Sequence, residues 1–105
     1  MNAKGGGTTP LLVAVYGGHK EIAKLLITKG ADVNARQGNL GLTPLHLAAN
    51  NREIAELLIA NGAHVNAKDK DGDTPLNFAI GRPQTAILLR KHGGKTGDEL
   101  KAEGK

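Results

Sequence analysis

Apolar residues run along this chain in short bursts at helical spacing, each followed by a polar or glycine-marked break. Glu21-Ile22-Ala23-Lys24-Leu25-Leu26-Ile27 carries its apolar side chains to one side of a 3.6-residue period, and Glu53-Ile54-Ala55-Glu56-Leu57-Leu58-Ile59 repeats the pattern almost letter for letter. A shorter burst precedes each: Leu11-Leu12-Val13-Ala14 and Leu45-His46-Leu47-Ala48, with a third copy at Leu76-Asn77-Phe78-Ala79. All three open on Thr-Pro. The hydroxyls of Thr9, Thr43 and Thr74 are suited to cap free amides, and Pro10, Pro44 and Pro75 lose no needed donor in the first helical turn. Gly30 and Gly62 fall just past the longer helices, where a left-handed backbone is easiest for glycine. Val65 to Thr74, with Asp71-Gly72, reads as a tight turn between short extended arms.

The Thr-Pro motifs recur at spacings of 34 and then 31 residues. Gly30-Ala31-Asp32-Val33-Asn34-Ala35 likewise returns as Gly62-Ala63-His64-Val65-Asn66-Ala67. Each unit is therefore helix, loop, helix and projecting turn, and the units are expected at 9–42, 43–73 and 74–94. One such unit cannot bury both faces of its helices, whereas stacked units share a continuous core. The pattern resembles the ankyrin repeat, with its T-P-L-H-x-A start: Thr43 to Ala48 match every specified position, and Gly18-His19 match the loop between the two helices. The likeness runs from residue 2 to about residue 94. It implies an all-α, ankyrin-type solenoid of stacked helix-loop-helix units with projecting β-turns or hairpins. It also implies that His46 bonds to Thr43 and to backbone, bracing one unit on the next.

The departures from that pattern carry expectations of their own. Ala49-Asn50-Asn51-Arg52-Glu53 and Ile80-Gly81-Arg82-Pro83-Gln84 shorten the helix–helix loop, with Asn51 as a cap and Pro83 in a first helical turn. The first projecting turn, Arg36-Gln37-Gly38-Asn39-Leu40-Gly41-Leu42, carries an extra residue. Residues 1–8 read as the remnant of a preceding turn or as a frayed start. With no capping helix ahead of the first unit, the chain is expected to be a fragment of a longer array, an engineered protein, or one that self-associates through its N-terminal face. Residues 95–105 form a charged tail in which Thr96-Gly97-Asp98-Glu99 has capping-box spacing, so a short helix to about Glu103, anchored by Leu100, is expected.

Composition narrows the chemistry. With 39% hydrophobic residues but one Phe, one Tyr and no Trp, the core is aliphatic, which suits close helix packing better than a ligand pocket. The absence of Cys removes disulfides, iron–sulfur clusters and thiolate zinc sites. No signal-peptide pattern and no run of ~20 apolar residues occurs, so a cytoplasmic protein without a membrane span is expected. The net charge of +4 is spread along the chain with acids three or four residues from many of the bases. That is the pattern of solvated helix faces, and with few aromatics it argues against nucleic acid. His19, His46, His64 and His92 have no helical metal-pair spacing, and no Ser is available as a nucleophile. Gly5-Gly6-Gly7 lacks the Lys-Ser or Lys-Thr of a phosphate loop. Asp69, Asp71 and Asp73 cluster on a turn without EF-hand spacing and read as a solvated turn. No catalytic residue, metal or cofactor is expected. Asn34, in Asp32-Val33-Asn34 after Leu26, looks like the site some asparaginyl hydroxylases use, or else ties its turn to the neighbouring backbone.

The family resemblance implies a non-catalytic module that binds a protein partner through a concave face of turns and first helices. Carried onto this sequence, the candidates are Arg36, Leu40 and Leu42 on the first turn, Lys68, Lys70 and Asp73 on the second, and Tyr16, Asn50 and Ile80 at the ends of the first helices. For Leu40 and Leu42 two readings stand: exposed contact residues, or residues partly buried by the extra-residue bulge. Tyr16 is either an interface anchor or packed on Gly17-Gly18. A self-associating or structural role through the uncapped N-terminal face is the alternative.

Overall fold

The computed structural model describes residues 9–104. The readings of residues 1–8, Gly5-Gly6-Gly7 included, lie outside them. Seven helices follow one another among the described residues: α1 (Pro10–Tyr16), α2 (Lys20–Thr28), α3 (Pro44–Leu47), α4 (Arg52–Ala60), α5 (Pro75–Phe78), α6 (Pro83–Lys91) and α7 (Gly97–Ala102). They form three pairs, α1/α2, α3/α4 and α5/α6, each packed on the next, with α7 held against the last pair by the Arg90–Glu99 and Gly97–Asn77 bonds.

The local signals work as the chemistry requires. Thr9 Oγ1 accepts from the Leu12 amide at 3.1 Å, and Pro10 occupies the first helical position. Asn51 Oδ1 caps α4 by accepting from the Ile54 amide at 3.1 Å. Past α2 and α4, Gly30 and Gly62 adopt φ of +99° and +96°, so the chain reverses without a Cβ clash. The shortened loops have a consequence that spacing alone did not predict. The missing residues come out of the first helix, so that α3 and α5 are four residues long where α1 has seven. After α3 the Asn51 amide turns back onto the Ala48 carbonyl at 2.9 Å, and after α5 the Arg82 amide does the same with Ala79.

Leu11, Leu12, Leu45, Ile54, Leu58 and Leu89 are fully buried, each contributing roughly 1.5–3 kcal/mol on leaving water. Ala14, Ala23, Ala48, Ala55 and Ala79 are buried between them and let neighbouring helices approach closely. The projecting turns are less regular than hairpins. The first closes on a single antiparallel bridge between Gln37 and Leu42, and no strand forms among the described residues. In the second, Asp69 Oδ1 accepts from the amides of Asp71 and Asp73, both at 2.9 Å.

Two asparagines tie the units together. Asn34 Nδ2 donates to the Gly62 carbonyl at 3.1 Å while its Oδ1 accepts from the His64 amide at 2.8 Å. Asn66 repeats this one unit on, to the Gly93 carbonyl at 3.0 Å and from the Lys95 amide at 2.8 Å. Asn34 thus has the tying role.

The tail helix forms with its capping box intact: Thr96 Oγ1 accepts from the Glu99 amide and Glu99 Oε1 from the Thr96 amide. Arg90 holds Glu99 through two bonds of 2.7 and 3.1 Å. That pairing first, and the Thr96 amide second, lower the Glu99 carboxyl to about 2. Lys95 pairs with Glu103 alongside. Leu100 is half-buried. Gly97 weakens a helix intrinsically, yet the fold needs it there, because a Cβ would run into the Gly72 carbonyl oxygen.

Candidate functional site

The first helices place equivalent side chains side by side. Counting from each Thr-Pro, the fifth residue is Val13, Leu47 and Phe78, an apolar row across one face of the stack. Val13 and Phe78 are exposed and Leu47 is half-buried. Tyr16, three residues beyond Val13 at the end of α1, is 80% exposed. On the loop that follows, the His19 ring lies against Gly17. Between these side chains runs a groove of about 510 Å³ lined by Tyr16, His46, Leu47, Asn50, Phe78 and Arg82. A second depression of about 280 Å³, lined by Leu12, Val13, Tyr16, Leu42 and Leu47, adjoins it through Tyr16 and Leu47.

His46 forms the buried floor. Its Nδ1 accepts from the Thr43 amide at 3.1 Å and lies 2.9 Å from Thr43 Oγ1, so the ring proton sits on Nε2 and is donated to the Asp73 carbonyl at 2.8 Å. Burial holds its pKa below the usual 6.5, against the opposing pull of the Asp73 carbonyl, and keeps the ring neutral. Phe78 meets it edge-on, with centroids 5.1 Å apart, so the histidine that braces two units also orients the aromatic wall of the groove. In the third unit Asn77 stands where His46 does: its Oδ1 accepts from the Thr74 amide at 2.9 Å and the Gly97 amide at 2.8 Å, docking α7.

The turn candidates divide. Arg36 is exposed, but its Nη1 donates to the carbonyls of Gly41 at 2.9 Å and Lys68 at 2.7 Å, stapling the first turn to the second. The Leu40 carbonyl accepts from the Lys70 amide at 2.8 Å, a second such staple, while the Leu40 side chain projects outward. Leu42 is half-buried and lines the smaller depression. Lys68 and Lys70 direct their side chains to solvent, and Asp73 is tied down through its amide and carbonyl. Asn50 is exposed on the groove. Ile80 is exposed too, at the position after Thr-Pro where Val15 and Ala49 are buried. Leu47, Phe78 and Arg82 were not anticipated as groove residues. The signal for the first two was present in the constant apolar position after each Thr-Pro.

The carboxylates of Asp69, Asp71 and Asp73 come within 4.8 Å of one another, with Asp69 Oδ1 committed to the turn amides. Among the described residues no other cluster of three metal-ligating side chains occurs.

The architecture is that of a helical repeat protein, with pairs of helices stacked in register and an open apolar groove along the first helices. The chain belongs to the ankyrin-repeat family: the family model "Ankyrin repeats (3 copies)" matches residues 35–99, and the single "Ankyrin repeat" model matches 6–37. It is similar to Alpha-latrotoxin-Lh1a of Latrodectus hasselti, 39% identical over 70% of this chain and 6% of the toxin. It is also similar to the Nuclear factor NF-kappa-B p105 subunit of Mus musculus, 39% identical over 85% of this chain and 10% of that protein. The NF-kappa-B inhibitor cactus of Drosophila melanogaster is 50% identical over 34% of this chain and 7% of its own length. The chain thus spans a tenth or less of these relatives.

Proposed function

We propose that the chain is a non-catalytic binding module for a protein partner, held in the groove between Tyr16, Leu47 and Phe78. The observation that carries this reading is the exposure of Tyr16 and Phe78 beside an open trough, where neither ring gains fully from folding. Aromatic side chains of this kind are the usual anchors of interfaces, since they bury large areas at low entropic cost. The family supports a binding role, and one relative is by name an inhibitor of NF-kappa-B, itself a protein. Among the described residues no helix is long and apolar enough to cross a membrane.

The test compares affinity capture by the wild-type chain, by Tyr16→Ala/Phe78→Ala, and by Ile87→Ala on the second helix of the last pair. A protein held by the wild type and by Ile87→Ala, but lost with the double variant, supports the groove. Retention of every captured protein by the double variant overturns it.

A second reading has its own observation. Ile22 on α2 is 53% exposed, whereas Ile54, at the same position of α4, is 0% exposed. Leu25 is exposed beside it. Self-association through this face predicts a concentration-dependent dimer in sedimentation that Ile22→Lys abolishes; a monomer at every concentration removes it.

A further inference from the structure

The third unit departs from the second at the start of its long helix, and the changes point one way. Asn51, which caps α4, is replaced by Arg82 at the head of α6. Glu53 in the first turn becomes Gln84, and Ile54 in the core becomes Thr85. A carboxylate and a capping acceptor have both gone from a helix end that carries partial positive charge, and a guanidinium has been put there instead. No side chain caps α6 and no acid lies in its first turn. Pro83 has no N–H, so the free donors at this end are the amides of Gln84 and Thr85.

Thr85 supplies an independent observation. It is 3% exposed, in the core position that Ile54 fills in the second unit, and its hydroxyl makes no hydrogen bond among the described residues. No fully enclosed side-chain oxygen of the described residues lacks a partner, so this hydroxyl keeps some exposure, and Thr85 lines a space beside it. That space is a cleft of about 340 Å³ lined by Asn50, Arg52, Gly81, Arg82, Gln84 and Thr85. Neither Arg52 nor Arg82 forms an ion pair among the described residues. Arg52, Arg82, Gln84 and Thr85 therefore line one volume, with no acid among its lining residues. Asn50 and Arg82 line the apolar groove as well, so the cleft opens directly from it.

We propose that this cleft is an oxyanion site, receiving the carboxylate or phosphate of an acidic or phosphorylated side chain on the protein partner that lies in the groove. Arg52 and Arg82 neutralise the charge, the Gln84 and Thr85 amides donate to the anion as the Ile54 amide donates to Asn51 Oδ1, and the Thr85 hydroxyl donates the remaining bond. The adjoining apolar trough takes the residue next to the anion, so the favoured segment pairs an aliphatic or aromatic side chain with an acidic one. The identity of the carrier rests on the groove reading; the anion site itself does not.

The experiment is amide NMR of the full chain titrated with inorganic phosphate, and then with acetyl-Leu-phosphoserine amide and acetyl-Leu-Glu amide. Saturable shifts at Gln84 and Thr85 with phosphate, and tighter binding of at least one dipeptide, are expected. Arg82→Asn restores the cap found on α4 and should fold well, yet weaken phosphate about tenfold, the loss of one charge-assisted hydrogen bond. Thr85→Ile restores the core residue of the second unit and should weaken it as well. Shifts that never saturate, or an unchanged affinity in Arg82→Asn, overturn the anion site. Dipeptides no tighter than phosphate, or a short single-stranded oligonucleotide that outbinds both at these amides, overturn the protein carrier. The phosphate arm involves no partner, so its failure falls on the cleft alone, whereas the Tyr16 and Phe78 variants judge the groove.

Discussion

His46 Nε2 donates its proton to the Asp73 carbonyl across 2.8 Å, joining the first helix of the second unit to the turn that leads into the third. The two ring bonds together require a neutral ring, because Nδ1 must accept from the Thr43 amide while Nε2 donates. In the unfolded chain the imidazole titrates near its usual 6.5, while in the fold burial holds it lower. The unfolded state therefore binds more protons as pH falls below 6.5, and stability is lost in that window. Denaturant midpoints should fall between pH 7 and pH 5, and His46→Asn, the residue the third unit uses, should flatten that slope while costing about 0.5–1.5 kcal/mol at neutral pH. An equally steep profile in the variant would assign the pH dependence elsewhere.

Asn34 and Asn66 each satisfy two backbone groups of the following unit. Alanine at either position should destabilise the fold by roughly 1–3 kcal/mol through the groups it leaves without partners. Hydrogen exchange should separate them: Asn34→Ala speeds exchange at the His64 amide and Asn66→Ala at the Lys95 amide.

Gly97→Ala puts a methyl group against the Gly72 carbonyl. The tail helix must then shift or leave, at a cost of about 1–3 kcal/mol typical of overpacking. Loss of protection at the Gly97 amide, which otherwise donates to Asn77, is the direct readout.

The Glu99 carboxyl lies at about 2, drawn down from 4.5 mainly by its hydrogen bonds from Arg90. Its contribution to holding the tail is complete above 4.5 and is lost as pH falls through about 2. Carbon-detected titration should give that low midpoint, and Arg90→Ala should return it toward the ordinary carboxylate range.

Tyr16→Ala removes the most exposed aromatic ring of the groove. Partner affinity should weaken by about 1–2 kcal/mol with no change in the thermal midpoint. A lowered midpoint would show that the ring serves the fold.

Much of the architecture could be read from residues within four positions of one another. Thr9 and Thr43 cap, Gly30 and Gly62 reverse the chain, Asn51 begins α4, and the box from Thr96 to Glu99 forms as its spacing predicts. Arg36 has a role that its spacing does not show. It sits on a projecting turn as a contact residue would, and one of its two acceptors is the Lys68 carbonyl, 32 residues away, so it also staples the turns. Gly97, a poor helix former by itself, is the residue that lets the tail approach Gly72.

From its order of residues alone, this chain determined that it would form capped helix pairs of one repeating kind, because caps, turns and apolar periodicity act through near neighbours and need no partner to be legible. Which side chains remain free was decided only when the pairs stacked. Stacking turned Arg36 and Asn34 into ties, left Tyr16 and Phe78 on an open groove, and set Arg52 beside an uncapped helix end with Arg82 and Thr85. The reason is that a polar group's partner is set by whichever backbone the fold carries within about 3 Å of it, and that distance is a property of packing between units, not of spacing within one.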